Sequence, residues 1–311
     1  MAKLNVIGVD LAKNVIQVSV LSGNNRTLCS RALSRSKFTE FLARQRPCLV
    51  AFEACSTAHY WARVASGNGH QVKIIPAKAI VPFRQGHKTD ENDALAVAEA
   101  ARRPNVKQAP LKTVEQQGMQ AIQRSGELLL HQRVALSNHI RGLLMEFGVV
   151  IPQGFAALYR QLPEILEDGE NELPDLYRPT LNLLYQRLCD LREDIDRLNE
   201  TIKALVEQHP VCRRLTALEG IGPVCSALLY ATLGISRQVA NRRLRAVLTQ
   251  GARAYVYRLK DPKTAKNHWL WAIIERSGKC KAAVALANKN VRTAWAMLTQ
   301  NTEYQRYPLA A

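Results

Sequence analysis

Residues 4–33, LNVIGVDLAKNVIQVSVLSGNNRTLCSRAL, predict three consecutive strands of one sheet. The first six residues form an apolar run, typical of a buried strand, that delivers Asp10 at its end. Residues 16–20 alternate apolar and polar side chains, which is the pattern of a half-buried strand. The glycine and asparagines at 22–25 favour a turn, after which residues 26–33 return as a third strand. The sheet therefore begins with antiparallel strands.

Helical and strand patterns alternate in the residues that follow. We expect helices at 36–45 and 58–66, strands at 48–52 and 71–75, and a further helix within 87–103. The order β-β-β-α-β-α-β-α predicts an α/β, ribonuclease-H-like sheet. In such a sheet the first and fourth strands are neighbours. Asp10 and Glu53, at the ends of these strands, should therefore lie side by side.

The stretch HKTDENDALAVAEAARR, residues 87–103, begins an alanine-rich helix with three acidic residues. Thr89 is a good N-cap, and Asp90, Glu91 and Asp93 would suit the helix dipole, so capping alone is one interpretation. The alternative is a metal site. Asp90 and Asp93 are three residues apart and share a helix face, whereas Glu91 should point away.

The second interpretation joins four carboxylates into one cluster. If the start of this helix faces the sheet edge, Asp10, Glu53, Asp90 and Asp93 converge. Such a cluster is unfavourable unless cations neutralise it. Two divalent ions would do so and would support phosphoryl transfer. Carboxylate ligands without cysteine favour Mg²⁺ or Mn²⁺. We therefore predict these four residues as metal ligands and catalytic residues.

Length and composition limit the class of protein. A chain of 311 residues with 47% hydrophobic content should form two or three domains with substantial cores. The sequence contains no run of eighteen apolar residues, so it predicts no membrane span. The first residues do not resemble a signal peptide. The seven scattered cysteines favour neither disulfides nor zinc. We expect a cytoplasmic, nucleoid-associated protein with reduced thiols.

Charge divides the chain into three blocks. Residues 1–110 carry 16 basic and 7 acidic residues, residues 111–208 carry 10 and 15, and residues 209–311 carry 17 and 4. The formal net charge of +17 favours a polyanionic partner, above all nucleic acid. We predict domains at these boundaries: the α/β domain, an α-helical coiled-coil middle and a mostly α-helical C-terminal domain.

Heptad spacing marks the middle block. From Leu181 to Leu205, leucines and isoleucines recur at alternating intervals of three and four residues. A similar but weaker pattern runs from Ile122 to Phe147, interrupted around Gly126. Two interpretations stay open: a helical hairpin within one chain, or a coiled coil that assembles protomers.

The last block contains two candidate nucleic-acid-binding features. LEGIGPVCSALL, residues 218–229, resembles a helix-hairpin-helix turn, in which Gly220 and Gly222 would let backbone amides approach a phosphate. A tight interhelical turn is the structural alternative. Residues 235–260 contain seven basic residues and no acidic ones, so a phosphate-binding helix face is the second candidate. Its predicted contacts are Arg242, Arg243, Arg245 and Arg253.

Five segments taken in order carry a resemblance to a known family: VIGVDLAKN, AFEACSTAHYW, GHKTDENDALAVAEAARR, LEGIGPVCSALL and ANRRLRAVLTQGARA. Together they resemble the DEDD transposases of bacterial insertion sequences, which are relatives of the Piv/MooV DNA invertases. The resemblance implies a RuvC-like N-terminal domain, a coiled coil and a C-terminal transposase domain. It implies recombination of donor and target DNA by a homo-oligomer, expected to be a tetramer, guided by a non-coding bridge RNA. The acidic set of the family falls on Asp10, Glu53, Asp90 and Asp93.

One departure from the family concerns its nucleophile. The resemblance implies a serine in a Ser-Gly-Gly-like segment, acting with the metals through a covalent phosphoserine link. That segment would fall between Gly234 and Ile235, which are adjacent here. Ser236 does not sit in the family motif, and a helix N-cap is the better interpretation. Either the segment is deleted, or the native protein contains residues that this sequence does not show.

Three functions therefore compete. The first is a metal-dependent, bridge-RNA-guided DNA recombinase, for which the serine segment must exist in the native protein. The second is a nucleic-acid-binding remnant without recombinase activity. The third is a RuvC-like hydrolytic nuclease, which would cut DNA with the carboxylates and water but would not rejoin it.

Overall fold

The computed structural model describes residues 5–233, 242–260 and 264–305. The chain forms two compact units, residues 1–113 and residues 114–311. The first is the α/β unit, and the second is helical throughout its described residues apart from loops. The predicted boundary between a middle and a C-terminal domain, at residues 208 and 209, stays a prediction.

The α/β unit is built on a five-stranded sheet. The strands are β1 (Val6–Leu11), β2 (Val15–Leu21), β3 (Thr27–Ser34), β4 (Leu49–Glu53) and β5 (Gln71–Ile75). Their order in the sheet is β3-β2-β1-β4-β5. β1 is antiparallel to β2 and parallel to β4, and β5 is parallel to β4. The predicted strands, their sequence order and the pairing of the first strand with the fourth are confirmed.

Helices cover both faces of this sheet. The helices are α1 (Arg35–Arg44), α2 (Ala58–Gly67), α3 (Ala77–Ile80) and α4 (Asp90–Arg102). Because side chains alternate along β4, Phe52 packs with α1 and α2, whereas Ala51 packs on the opposite face with α4. The small side chains of the alanine-rich α4 let this helix lie close to the sheet.

The contact between α4 and β1 depends on a glycine. A Cβ atom at Gly8 would lie 2.1 Å from the carbonyl oxygen of Ala94 and 2.5 Å from the backbone nitrogen of Ala98. Only a residue without a side chain permits this approach of helix to strand. Gly8 therefore sets the distance between α4 and β1, two residues before Asp10.

The second unit consists of helices of very different length. They are α5 (Val114–Glu146), α6 (Phe155–Glu167), α7 (Arg178–Gln208), α8 (Pro210–Leu215), α9 (Pro223–Leu233), α10 (Arg242–Arg258) and α11 (Ala265–Gln300). No helix was predicted for the residues of α6, which contains Pro163. α11 is interrupted at Gly278, which has a φ of +82°.

The heptad pattern of α7 lies against α5 of the same chain. Leu181, Leu188 and Leu191 are buried, and Leu198 faces α5 directly, because a Cβ at Gly126 would lie 2.6 Å from its Cδ2 atom. Gly126 is therefore a point of close helix approach, where the sequence had indicated an interruption. The helical hairpin within one chain is thus present. Whether the same helices also assemble protomers stays a prediction.

The buried face of α5 matches the predicted one in part. Its buried residues are Met119, Gln123, Gly126, Ser137, Ile140 and Leu144. Of the residues in the predicted pattern, Ile140 is buried, and Ile122, Leu136 and Phe147 are partly buried and pack against the core. Gly126 also belongs to this face, because Leu198 of α7 packs against it.

The helices α9, α10 and α11 share a core. Leu244, Leu248, Ala252 and Val256 line the buried face of α10 at intervals of four residues, which places them on one face of the helix. All seven cysteines are free thiols. Among the described helices, none is both long and apolar enough to cross a membrane.

Candidate active site and nucleic-acid interface

Asp10 and Glu53 lie at the carboxyl ends of the two central strands. β1 and β4 are parallel, and Val9 pairs with Phe52, so the next residues along both strands are Asp10 and Glu53. Both side chains are half-buried, whereas the four residues before Asp10 in β1 are fully buried. β1 continues one residue beyond the predicted end, to Leu11. The two carboxylates thus lie at the predicted edge of the sheet.

The first turn of α4 carries the other acidic residues. Thr89 caps the helix, since its hydroxyl oxygen accepts a 3.2 Å hydrogen bond from the backbone N–H of Asn92. Asp93 is half-buried, and Asp90 and Glu91 are exposed. The capping interpretation of this segment is therefore correct as far as Thr89 is concerned. It does not by itself explain Asp90 and Asp93.

The electrostatics of Asp10 connect these elements. Burial raises the pKa of Asp10, and the negative charges of Asp90, Asp93 and Glu53 raise it further, in that order of size. The backbone N–H of Leu11 opposes them by hydrogen bonding. The negative charges of these three carboxylates therefore disfavour the ionised form of Asp10.

A basic residue that the sequence did not single out contacts this cluster. The Nε atom of Arg84 lies 2.5 Å from Oδ1 of Asp93, and the two side chains are 28% and 14% exposed. Arg84 follows a short 3₁₀ turn, Val81–Phe83, whose Phe83 packs against the core beside α4. The pairing neutralises one of the carboxylates and fixes its orientation. No local pattern could have revealed it, because the partners are nine positions apart across a loop.

The donor set fits a hard divalent cation. All four side chains offer carboxylate oxygens, the ligands that Mg²⁺ and Mn²⁺ prefer. The raised pKa of Asp10 reports repulsion that such a cation would relieve. In the present side-chain conformation, no group of three or more His, Cys, Asp or Glu residues within the described ranges is close enough to hold an ion. Binding would therefore require the carboxylates to rotate toward one another.

The predicted hairpin at Gly220 and Gly222 lies beside a cavity of about 710 Å³. Gly220 has a φ of +80°, and a Cβ at Gly251 would lie 2.3 Å from its carbonyl oxygen. Gly220 therefore forms a turn that packs closely against α10, as the tight-turn interpretation predicts. Gly222 is different: a Cβ there would meet nothing within 4 Å, and the residue precedes α9 and lines the cavity.

The predicted phosphate-binding arginines of α10 divide into two groups. Arg243 is 18% exposed and its Nε atom contacts Glu127 of α5; burial lowers the pKa of the guanidinium. The argument that this segment lacks compensating acids is therefore wrong for Arg243, because a distant helix supplies one. Arg245 and Arg253 are exposed. The structure describes the backbone of Arg242 but not its side chain.

The predicted site of the missing nucleophile segment lies outside the described residues. This applies to the junction of Gly234 and Ile235 and to Ser236.

A buried polar network, which no local sequence pattern indicates, links the C-terminal helices. Lys266 donates hydrogen bonds to Glu219 at 2.6 Å and to Asn290 at 2.9 Å, and Tyr304 donates to Glu219 at 2.9 Å. Burial alone would raise the pKa of Glu219, but these partners, chiefly Lys266, hold it below its ordinary value. The network is structural, because it joins segments far apart in the sequence.

Comparison with known proteins identifies similar chains. The model of the IS110-type DEDD transposases, described as a transposase, matches residues 7–148, a range that contains all four clustered carboxylates. A probable family 20 transposase of Pseudomonas aeruginosa is 36% identical, over 97% of this chain and 99% of the relative. The transposase for insertion sequence element IS1111A of Coxiella burnetii is 33% identical, over 98% and 92%. The transposase for IS1328 of Yersinia enterocolitica is 32% identical, over 98% and 100%.

The lengths of these alignments bear on the absent segment. They span 334, 336 and 339 positions, more than the 311 residues of this chain. The relatives therefore contain residues that have no counterpart here.

Proposed function

This chain belongs to the DEDD transposases of IS110-type insertion sequences, and from that premise we propose that it is a site-specific DNA recombinase. Its strand cleavage uses Asp10, Glu53, Asp90 and Asp93 as ligands of divalent ions. The observation that carries this proposal is the parallel pairing of β1 and β4, which sets Asp10 and Glu53 side by side at one edge of the sheet. The negative charges of Asp90 and Asp93 on α4 act on Asp10 as well. A cluster that is unfavourable in the free protein is the arrangement expected of a cation site.

The four side chains have separate tasks in this proposal. Asp10 and Glu53 would bind from the rigid sheet edge, where the parallel pairing of β1 and β4 fixes their spacing. Asp90 and Asp93 would bind from α4, with Arg84 orienting Asp93. Bound divalent ions stabilise the attacking and leaving oxygens of phosphoryl transfer. Mg²⁺ is the expected ion, with Mn²⁺ as a substitute of the same ligand preference.

Cleavage of DNA that carries the ends of the element tests this assignment. Asp10→Asn, Glu53→Gln and Asp93→Asn should each lower the cleavage rate by more than about 100-fold, since loss of a ligand exceeds the effect of a supporting residue. Glu91→Gln is the matched control, because Glu91 lies in the same helical turn and is exposed. Equal loss in the control, or cleavage by Asp93→Asn at the unmodified rate, would exclude the four-residue set.

The same proposal includes the partners implied by the family. We expect donor and target DNA, a bridge RNA of the element and a homo-tetramer. The exposed Arg245 and Arg253 supply phosphate contacts. Purification from cells that carry the whole element, followed by RNA sequencing and mass determination of the complex, tests the RNA and the subunit number. If the protein recombines DNA without bound RNA, the proposed RNA guide is wrong.

A second candidate follows from the aligned lengths. If the native chain lacks the residues that its relatives contain, it binds nucleic acid without recombining it. The intact mass of the protein expressed from its native gene decides this: 34.8 kDa supports the remnant, and a larger mass supports the recombinase. The reaction products separate the third alternative, since a hydrolytic nuclease of the RuvC type leaves cut ends unjoined.

A further inference from the structure

Tyr257, near the end of α10, is an exposed aromatic residue with two cations close to its ring. Its side chain is 50% exposed. The guanidinium carbon of Arg253 lies 5.4 Å from the ring centroid, and Nζ of Lys279 lies 5.2 Å from it. Arg253 comes from the preceding turn of α10, and Lys279 follows the interruption of α11 at Gly278. Two helices of one unit therefore place positive charge beside the same ring.

The fold holds the ring in this exposed position. Val256, the preceding residue, is fully buried in the core of α10, so Tyr257 projects away from that core. Tyr255 behaves differently, because it is partly buried and its hydroxyl donates a 2.9 Å hydrogen bond to Asn267. Packing and hydrogen bonding account for Tyr255. They do not account for Tyr257.

A shallow groove continues from this aromatic residue along α10. It has a volume of about 410 Å³ and is lined by Arg245, Ala246, Thr249, Gln250 and Arg253. Arg245 and Arg253 are eight residues apart, which is about 12 Å along a helix. Small and polar side chains lie between them, and the sequence of α10 contains no acidic residue. The surface thus offers separated cations followed by an aromatic face.

We infer that this surface, Arg245, Arg253, Tyr257 and Lys279, binds single-stranded DNA by stacking an unpaired base on Tyr257. Aromatic side chains beside cations bind single strands because every base has a π-face and every nucleotide has a phosphate. Duplex DNA would use only the cations, since its bases are stacked on one another. The inference rests on the proposed function, because the exchange of cleaved strands between donor and target DNA passes through the unpaired DNA that the surface would hold.

Stacking can be measured directly with a short deoxyoligonucleotide that contains 2-aminopurine, whose fluorescence falls when it stacks. The full-length protein in EDTA should quench the probe. Tyr257→Phe should keep affinity and quenching within about twofold, whereas Tyr257→Leu should weaken binding by about 5- to 150-fold and abolish the quenching. Tyr60→Leu is the matched control, because Tyr60 is 51% exposed and lies on α2 of the other unit.

The charged residues provide a second readout. Arg253→Gln and Lys279→Gln should each reduce the slope of log affinity against log salt by about 0.7, the value for one single-strand phosphate contact. Unchanged quenching in Tyr257→Leu, or equal loss of duplex binding, would overturn the inference. Tighter binding of the RNA of the same sequence by more than about tenfold would overturn the assignment to DNA. Because EDTA removes divalent ions, failure of this test leaves the cleavage test unaffected.

Discussion

Replacing Gly8 by alanine should damage the active site without changing any charged residue. The new Cβ would lie 2.1 Å from the carbonyl oxygen of Ala94, and ordinary contact begins at 3.4 Å, so the two must separate by about 1.3 Å. The atoms that it meets on α4 include backbone atoms, which cannot rotate away. The helix itself must move, together with Asp93 in its first turn.

Two effects of this substitution have estimable sizes. Overpacking of a well-packed core costs about 1–3 kcal/mol, and contact with backbone atoms places Gly8→Ala at the upper end. A displacement of roughly 1 Å in a catalytic group lowers the rate by about 100-fold. We therefore expect a loss of about 3 kcal/mol in the free energy of unfolding and a cleavage rate lowered by two orders of magnitude.

Urea denaturation and a DNA cleavage assay measure these two quantities. Gly142→Ala is the matched control, because Gly142 is an exposed residue of α5 and a Cβ there meets nothing within 4 Å. It should increase stability by up to about 1 kcal/mol through helix propensity. If Gly8→Ala unfolds and cleaves like the unmodified protein, α4 does not depend on Gly8 for its position, and the reasoning fails.

Three further experiments test the electrostatics. Asp10→Asn should raise the free energy of unfolding in EDTA by about 0.5–2 kcal/mol. The substitution removes a negative charge that burial and the neighbouring carboxylates disfavour, as the raised pKa of Asp10 indicates. An unchanged urea midpoint would contradict this expectation. Lys266→Met should cost roughly 3–5 kcal/mol near neutral pH by leaving Glu219 charged and unpaired. The pKa of Glu219 is lowered in the folded protein, but burial would raise it once Lys266 is gone. The cost should therefore shrink as the pH falls, beginning above the ordinary pKa of a glutamate and ending below the lowered one, which a pH series of urea titrations would detect. A double-mutant cycle of Arg243→Ala and Glu127→Ala should give a coupling energy of about 1 kcal/mol, whereas strict additivity would show that the pair is unimportant.

The sheet and the position of Asp10 beside Glu53 could be predicted because both follow from local patterns. Alternation in β2 and the apolar run of β4 specify strands, and strand order then specifies neighbours. Val9 lies opposite Phe52 in the parallel pair of β1 and β4. The neighbouring position of Asp10 and Glu53 follows because both strands end at the same edge of the sheet.

Contacts between distant side chains could not be predicted in this way. Arg84 lies in a loop, and its pairing with Asp93 depends on how that loop folds back. Glu127 and Arg243 belong to different helices, and no periodicity connects them. The buried face of α5 was predicted only in part, because the prediction treated Gly126 as an interruption, whereas the close packing of Leu198 there requires a residue without a side chain.

The chain order of the sheet has a consequence for synthesis of the protein. The ribosome releases Asp10 first, while Asp93 lies in α4, which reaches Arg102. A nascent chain that has completed β1 to β5 still lacks the helix that brings the last two carboxylates to the sheet edge. If the proposed four-carboxylate site is correct, a growing chain cannot assemble it until about a third of the protein has been made.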